Sequence, residues 1–566
     1  MTTVSQSATR LASILFLLGV IAIALGFSLP GHFAPYKTFY QELSSFVGLL
    51  FIVIAIIARN GGRFSFTYSS LLVFAIAVIP LLQYFTGTIL FFGDAFLSSV
   101  YIASFAFAIA AGRELDAEWI EPLLWALVLV ALFSVTVSTI HWLEIGFTAG
   151  GIMETPFKST PSGNMGQRNH FATLLMMAVG ALLYLNHTKR IGNIMTVIML
   201  LIFVFGLALS KSRTPWVDAF ILALFVLLKY QYLETPRRLI GWLIMAVAFY
   251  LLILFVTFPV VSEVQTIEPL ESFVRTEEGE VRPRIWAPIL NAIAAGDWGG
   301  YGWKQESLAL ALISDQSWPT IYTTSSHNLF LSFLVWNGPI IGLLMIVAVL
   351  YWAWQHIWKC TTPEHFYLLC MIGAVAVHAM LELPYEFAYF LLPAGILIGH
   401  SERLMMSKTV TVRAPFTVSI LVTSCVMILM LMIHTEYAIL KQANLKMNAI
   451  NARLKNAEKV VLPQGEIRFL THLKAYIDLG NNKAREGMEE AELDEMHRIA
   501  LRYPKSFVLF RYAMALGLNH QPEKASEILL VLRNMHGSEV YADKLERWKF
   551  SAVLHPQLNQ VVLPPM

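Results

Sequence analysis

Apolar residues in this 566-residue chain fall in long runs broken by short polar turns, from about residue 10 to residue 434. A helix of roughly 18–20 apolar residues spans a bilayer core. On that basis the pattern predicts about thirteen transmembrane helices, near 10–29, 43–58, 68–86, 94–111, 118–138, 171–186, 191–209, 214–229, 239–258, 328–352, 365–381, 385–400 and 414–434. The first reads as a retained anchor rather than a cleaved leader. After Ile433 the pattern changes: residues 435–566 are charged and amphipathic, with helical periodicity from about Ala438 to Lys455 and again through 466–550. The fold class expected is therefore an all-α polytopic membrane protein, with a transmembrane domain over 1–434 and a helical domain over 435–566.

Composition agrees with that reading. Hydrophobic residues make up 57% of the chain and charged residues 14%, with a mean hydropathy of +0.61, which excludes an ordinary soluble protein. The net charge of +2 says little, but its distribution sets an orientation. With the N-terminus in the cytoplasm, one set of loops carries Arg59, Arg63, Arg113, Lys189, Arg190, Lys229, Arg237, Arg238, Lys359, Arg403, Lys408 and Arg413. The opposite short loops hold Lys37 in the first and no cation between Gly87 and Gly93. The large loop 259–327 and the tail then lie outside the cytoplasm. Cys360, Cys370 and Cys425 all fall in or beside spans, so neither outer segment offers a disulfide framework or a cysteine zinc site.

A few cations break the positive-inside pattern. Arg168 lies in Gly163-Asn164-Met165-Gly166-Gln167-Arg168-Asn169-His170, Lys211 and Arg213 in the tight turn Ser210–Thr214, and Arg282 and Arg284 just before Trp286. A single such residue would snorkel to lipid headgroups. A cluster of them points to an anion site, because the guanidinium fork matches phosphate oxygens. The anion would reach it from the membrane, as a lipid phosphate or diphosphate. The cytoplasmic side carries no Gly-x-x-x-x-Gly-Lys phosphate loop, so an ATP-driven pump is not expected.

His327 ends the large loop, two residues before an apolar span, where its imidazole can serve as a proton acceptor near neutral pH; the alternative is a helix-capping histidine. Gln83, Asp94, His170, His378 and Glu382 also stand at outer span ends. His378 and Glu382 are four apart, on one helix face, the spacing of a two-ligand metal pair, but no third ligand is evident nearby. They read better as hydrogen-bonding groups that orient a neighbour.

With these residues in view, the chain resembles the bacterial protein O-oligosaccharyltransferases, or pilin glycosylation ligases, which are related to O-antigen ligases and polymerases. The matching segments, in order, are Pro80–Gln83 with Phe92–Ala95; Gly163–His170; Ser212-Arg213; Arg282–Trp286 with Gly300–Trp303; His327–Leu331 with Trp336-Asn337-Gly338; and His378–Glu382 with Pro384 and Tyr389-Phe390. The resemblance implies a GT-C-like membrane fold and en bloc transfer of an oligosaccharide. The donor it implies is an oligosaccharide carried on undecaprenyl diphosphate at the outer leaflet of the bacterial inner membrane. The acceptor is a Ser or Thr of a periplasmic protein such as a type IV pilin. It implies His327 as general base and Arg168, Lys211, Arg213, Arg282 and Arg284 as diphosphate ligands, with either Arg282 or Arg284 at the family's position before Trp286. Gln83, Asp94, Gln167, His170, Asn328, His378, Glu382 and Tyr389 take supporting places. No cofactor is expected. The first outer loop offers only Glu42, and Glu277, Glu278 and Glu280 read as a solvated acidic run, so cations are expected to do the work of a metal.

In the tail, Arg511–Gly517 followed by Pro522–Ala525 resembles one tetratricopeptide helix pair, where an independent solenoid needs at least three. It reads as a cap on the membrane domain or as a platform for the acceptor protein. O-antigen ligase or polymerase remains the alternative enzyme. A lipid-glycan flippase is the alternative of another class, although transporters place polar groups at midspan rather than at span ends.

Overall fold

A computed structural model describes residues 6–145, 152–153, 161–258, 281–314, 321–405, 412–452 and 454–566. The acidic run at Glu277, Glu278 and Glu280 lies outside the described residues. The protein is an all-α polytopic membrane protein. Among the described residues the only strands are Phe64–Phe66 and Val412–Ala414, paired antiparallel with Ser65 opposite Arg413.

All thirteen expected spans are helical, and among the described residues ten helices are long and apolar enough to cross a bilayer. The other three are Thr214–Leu228, Pro363–Ala379 and Ala388–Met405. The first two have 15 and 17 residues, and the third closes on His400, Glu402 and Arg403. Two long helices depart from the expected boundaries. Leu329–Lys359 breaks at Gly338 (φ 72°, ψ 175°), ahead of Pro339. Phe416–Asn451 runs on well past the apolar stretch, because Glu436, Lys441 and Lys446 are good helix formers and do not end it.

The described chain divides into two compact units that interleave in sequence. One comprises Met1–Ile76, Tyr101–Glu277 and Leu350–Met430; the other comprises Ala77–Val100, Glu278–Val349 and Leu431–Met566. At the centre of the first unit is the helix Arg168–His187, the most enclosed of the ten long apolar helices. Phe171, Leu174, Leu175, Ala178 and Leu182 are fully buried against Ala117–Trp142, Asn193–Ser210 and Pro363–Ala379. Gln6–Ser28 and Phe39–Arg59 pack closely because Gly19 faces Gly48. A Cβ on either would come 2.7 Å from the other's carbonyl oxygen.

In the second unit, Val281–Ala295 and Glu306–Ile313 lie within what the sequence presents as one long loop. The tail folds as Thr471–Asn481, Glu490–Arg502, Ser506–Leu518 and Pro522–Leu554, the last broken at Gly537. Their apolar faces share one core of Leu493, Ile499, Val508, Leu516, Leu529 and Trp548. The Glu436 carboxylate accepts from the N–H groups of Arg468, Phe469 and Leu470 and fixes the chain as it enters these helices.

Candidate functional site

In the first unit, the polar segments singled out in the sequence meet at the start of Arg168–His187. Gln167 is the extended residue before that helix, and Arg168 is its first residue. The next residue, Asn169, accepts a hydrogen bond from Ser212 Oγ at 2.7 Å and donates to Glu382 Oε1 at 3.2 Å. Ser212 is buried between half-buried Lys211 and exposed Arg213, so one chain of bonds draws three cation-bearing positions to one end of the unit. Lys211 closes the preceding helix with φ 47°, a left-handed conformation that costs energy in a residue with a Cβ and is held by its surroundings.

His378 and Glu382 both reach this same central helix. His378 Nδ1 lies 2.8 Å from Thr173 Oγ1, and Thr173 is one turn beyond Asn169, so a pair four apart faces a pair four apart. His170 is 1% exposed and closed in by aromatic rings: its Nδ1 lies 2.9 Å from the Tyr389 hydroxyl, and its ring centroid is 4.5 Å from that of Phe387. The Tyr389 bond and the surrounding rings fix the orientation of this imidazole. Glu42 is a partner the sequence reading passed over. Its buried carboxylate accepts from the Ala388 N–H and so anchors the strand of chain that presents Tyr389.

In the second unit, His327 occupies a bend with φ 52°. Its N–H donates to Ser325 Oγ at 3.1 Å, and the preceding Ser326 carbonyl accepts from Trp286 Nε1 at 3.0 Å. Trp286 lies one turn after Arg282 on Val281–Ala295, so the turn bearing half-buried Arg282 is tied to the histidine loop; Arg284 is exposed. Asn328 Oδ1 caps the next helix by accepting from Phe330 N and Leu331 N at 3.0 and 3.1 Å. The cap is thus supplied by Asn328.

Two supporting positions have defined structural work. Gln83 donates to the Trp336 carbonyl at 2.7 Å and accepts from Trp303 N at 3.2 Å. It thereby joins Gly300–Trp303 to Trp336–Gly338, where Trp303 and Trp336 stack at 4.4 Å. Gly338 has to be glycine here, because a Cβ would collide with the Trp298 carbonyl. Asp94 forms a two-point ion pair with Arg502, both bonds 2.8 Å, with side chains only 3% and 11% exposed. Burial alone would lower the Arg502 pKa, but the Asp94 charge and its bonds outweigh this and raise it. Beside them burial pushes His472 down to about 4, Asp94 pulling it up and Arg502 and Lys304 adding to the depression. Arg502 had no local signal in the sequence. Among the described residues no group of three or more His, Cys, Asp or Glu is arranged to hold a metal ion.

The first unit thus brings three cation-bearing positions to one helix end, and the second ties a histidine loop to an arginine-bearing helix. Family models match in three stretches: protein glycosylation ligase over residues 161–185, O-antigen ligase over 197–347, and the C-terminal part of virulence factor membrane-bound polymerase over 366–549. Two relatives from Acinetobacter baylyi match almost end to end. A general O-oligosaccharyltransferase is 28% identical over 554 residues, 95% of each chain. A ComP-specific O-oligosaccharyltransferase is 24% identical over 549 residues, 93% of this chain and 96% of its own. The chain is a multi-pass membrane glycosyltransferase. It is similar to protein O-oligosaccharyltransferases and, in part, to O-antigen ligases.

Proposed function

We propose that this enzyme transfers an oligosaccharide en bloc from undecaprenyl diphosphate to Ser or Thr hydroxyls of exported proteins, type IV pilins among them. The site works on the periplasmic face of the bacterial inner membrane, with the N-terminus in the cytoplasm and the tail outside. The observation that carries this reading is the Ser212–Asn169–Glu382 chain of bonds, which gathers Arg168, Lys211 and Arg213 at one helix end. Fixed cations in a water-poor site stabilise charge as it grows on a leaving group. The diphosphate would lie on Arg168, Lys211, Arg213, Arg282 and Arg284. His327 takes the proton of the acceptor hydroxyl as its oxygen bonds to the anomeric carbon. The bond from that carbon to the diphosphate breaks, and undecaprenyl diphosphate leaves with the electron pair. The cations replace a metal in this mechanism.

The O-antigen ligase and polymerase matches support a second reading, in which the acceptor is a glycan. A heterologous cell supplied with a lipid-linked oligosaccharide and a candidate pilin separates the two. Glycan mass added to the pilin supports the proposal. Extension of lipid-linked or lipopolysaccharide glycan, with the pilin unmodified, would replace it by the second reading.

A further inference from the structure

Within the second unit, the helix Glu306–Ile313 packs a carboxyl against the His327 loop. Glu306 is 0% exposed, as are Ser326 and Ser332. Its Oε1 accepts from Ser332 Oγ at 2.9 Å, and Ser332 Oγ lies 2.7 Å from Ser326 Oγ. Ser326 Oγ accepts from the Asn328 N–H at 3.2 Å and donates to the Asn328 carbonyl at 2.7 Å, so it bridges His327 from one neighbour to the other. The next residue of the same helix, Ser307, donates to the Thr323 carbonyl at 2.9 Å. Thr323 Oγ1 in turn donates to the Ser325 carbonyl at 2.8 Å. Adjacent residues of one helix thus tie the loop down on both sides of its serines.

The bend depends on such support. His327 has φ 52°, a left-handed conformation that costs energy in a residue with a Cβ and persists where its surroundings hold it. With Glu306 in place, the Ser332 hydrogen is committed to the carboxyl. Without it, Ser332 can bond within its own helix, and the tie from Glu306–Ile313 to the loop is lost. Enclosing a carboxyl costs free energy that an apolar side chain would not, so its presence points to work other than packing. We propose that Glu306 is a positioning residue: acting through Ser332 and Ser326, it holds the bend that carries the His327 imidazole. The inference rests on the reading of His327 as the general base. It gives an enclosed carboxyl, set apart from the diphosphate cations, control over kcat.

The test uses the purified full-length enzyme with lipid-linked oligosaccharide and acceptor pilin. Glu306→Ala and Ser332→Ala each lower kcat roughly 10–10²-fold, while KM for the donor stays within about twofold. Glu306→Gln keeps an acceptor oxygen and adds N–H donors at that place, and recovers most of the rate. In the His327→Ala background neither alanine change lowers the residual rate further, because each acts through the imidazole. Ser332→Ala removes a single oxygen, so it carries the test if Glu306→Ala does not fold. Wild-type rates in Glu306→Ala and Ser332→Ala, beside a slow His327→Ala, would overturn the positioning role alone. A further loss in the His327→Ala background, or no recovery in Glu306→Gln, would do the same. His327→Ala within a fewfold of the wild-type rate would overturn the base itself, and the positioning role with it.

Discussion

Replacing Arg502 by alanine strands the Asp94 carboxylate in a site where it is 3% exposed and removes two charge-assisted bonds of 2.8 Å. Breaking a buried pair from one side typically costs about 3–5 kcal/mol, because the remaining charge is neither solvated nor paired. At about 1.4 kcal/mol per tenfold, the opened population of Glu490–Arg502 rises by roughly two to three and a half orders of magnitude. Thermolysin cleavage within that helix reads this population when opening is fast relative to cutting. Arg502→Leu with Asp94→Asn removes both charges and recovers much of the loss, since a buried ion pair is worth little over an apolar replacement. A double-mutant cycle should therefore show strong coupling. Cleavage of Arg502→Ala at the wild-type rate, or single effects that simply add, would refute the reasoning.

Three further outcomes follow from the site. Arg213→Ala lowers kcat/KM for the lipid-linked donor, and Arg213→Lys recovers only part of it, because an ammonium keeps the charge but loses the two-point fork; steady-state kinetics at varied donor concentration checks this. Stability of the second unit falls as pH drops from about 6.5 to about 4. In that window the unfolded His472 takes up a proton that the buried imidazole, pushed down to about 4, does not. His472→Gln flattens this part of the thermal-stability profile. Dialysis against EDTA leaves the transfer rate unchanged, whereas a rate restored only by Mg²⁺ or Mn²⁺ would give the diphosphate to a metal.

The spans were legible because a bilayer demands apolar runs, and the outer cations stood out because each breaks the charge rule. Glu382 was visible for a related reason, since a polar group at a span end needs a partner; its partner Asn169, and Ser212 beyond it, entered only within segments matched by resemblance. The Asp94 partner was not legible. Arg502 is 408 residues away, on an amphipathic helix whose charges look solvent-facing. Nor was Glu42, since nothing local says that a carboxylate in the first turn of a helix will take the Ala388 N–H. The helices inside 281–314 were hidden by the polar, Pro- and Gly-bearing sequence around them, whose helical form is decided by packing rather than by periodicity.

The central claim is that His327 acts as the base in glycan transfer. The most direct test is the single-turnover rate of the purified enzyme with lipid-linked oligosaccharide and acceptor pilin, comparing wild type with His327→Ala at matched folding. A general base is worth roughly 10²–10⁴ in rate, so the account predicts a loss of that size with donor binding retained. A variant that transfers glycan within a fewfold of the wild-type rate would contradict it.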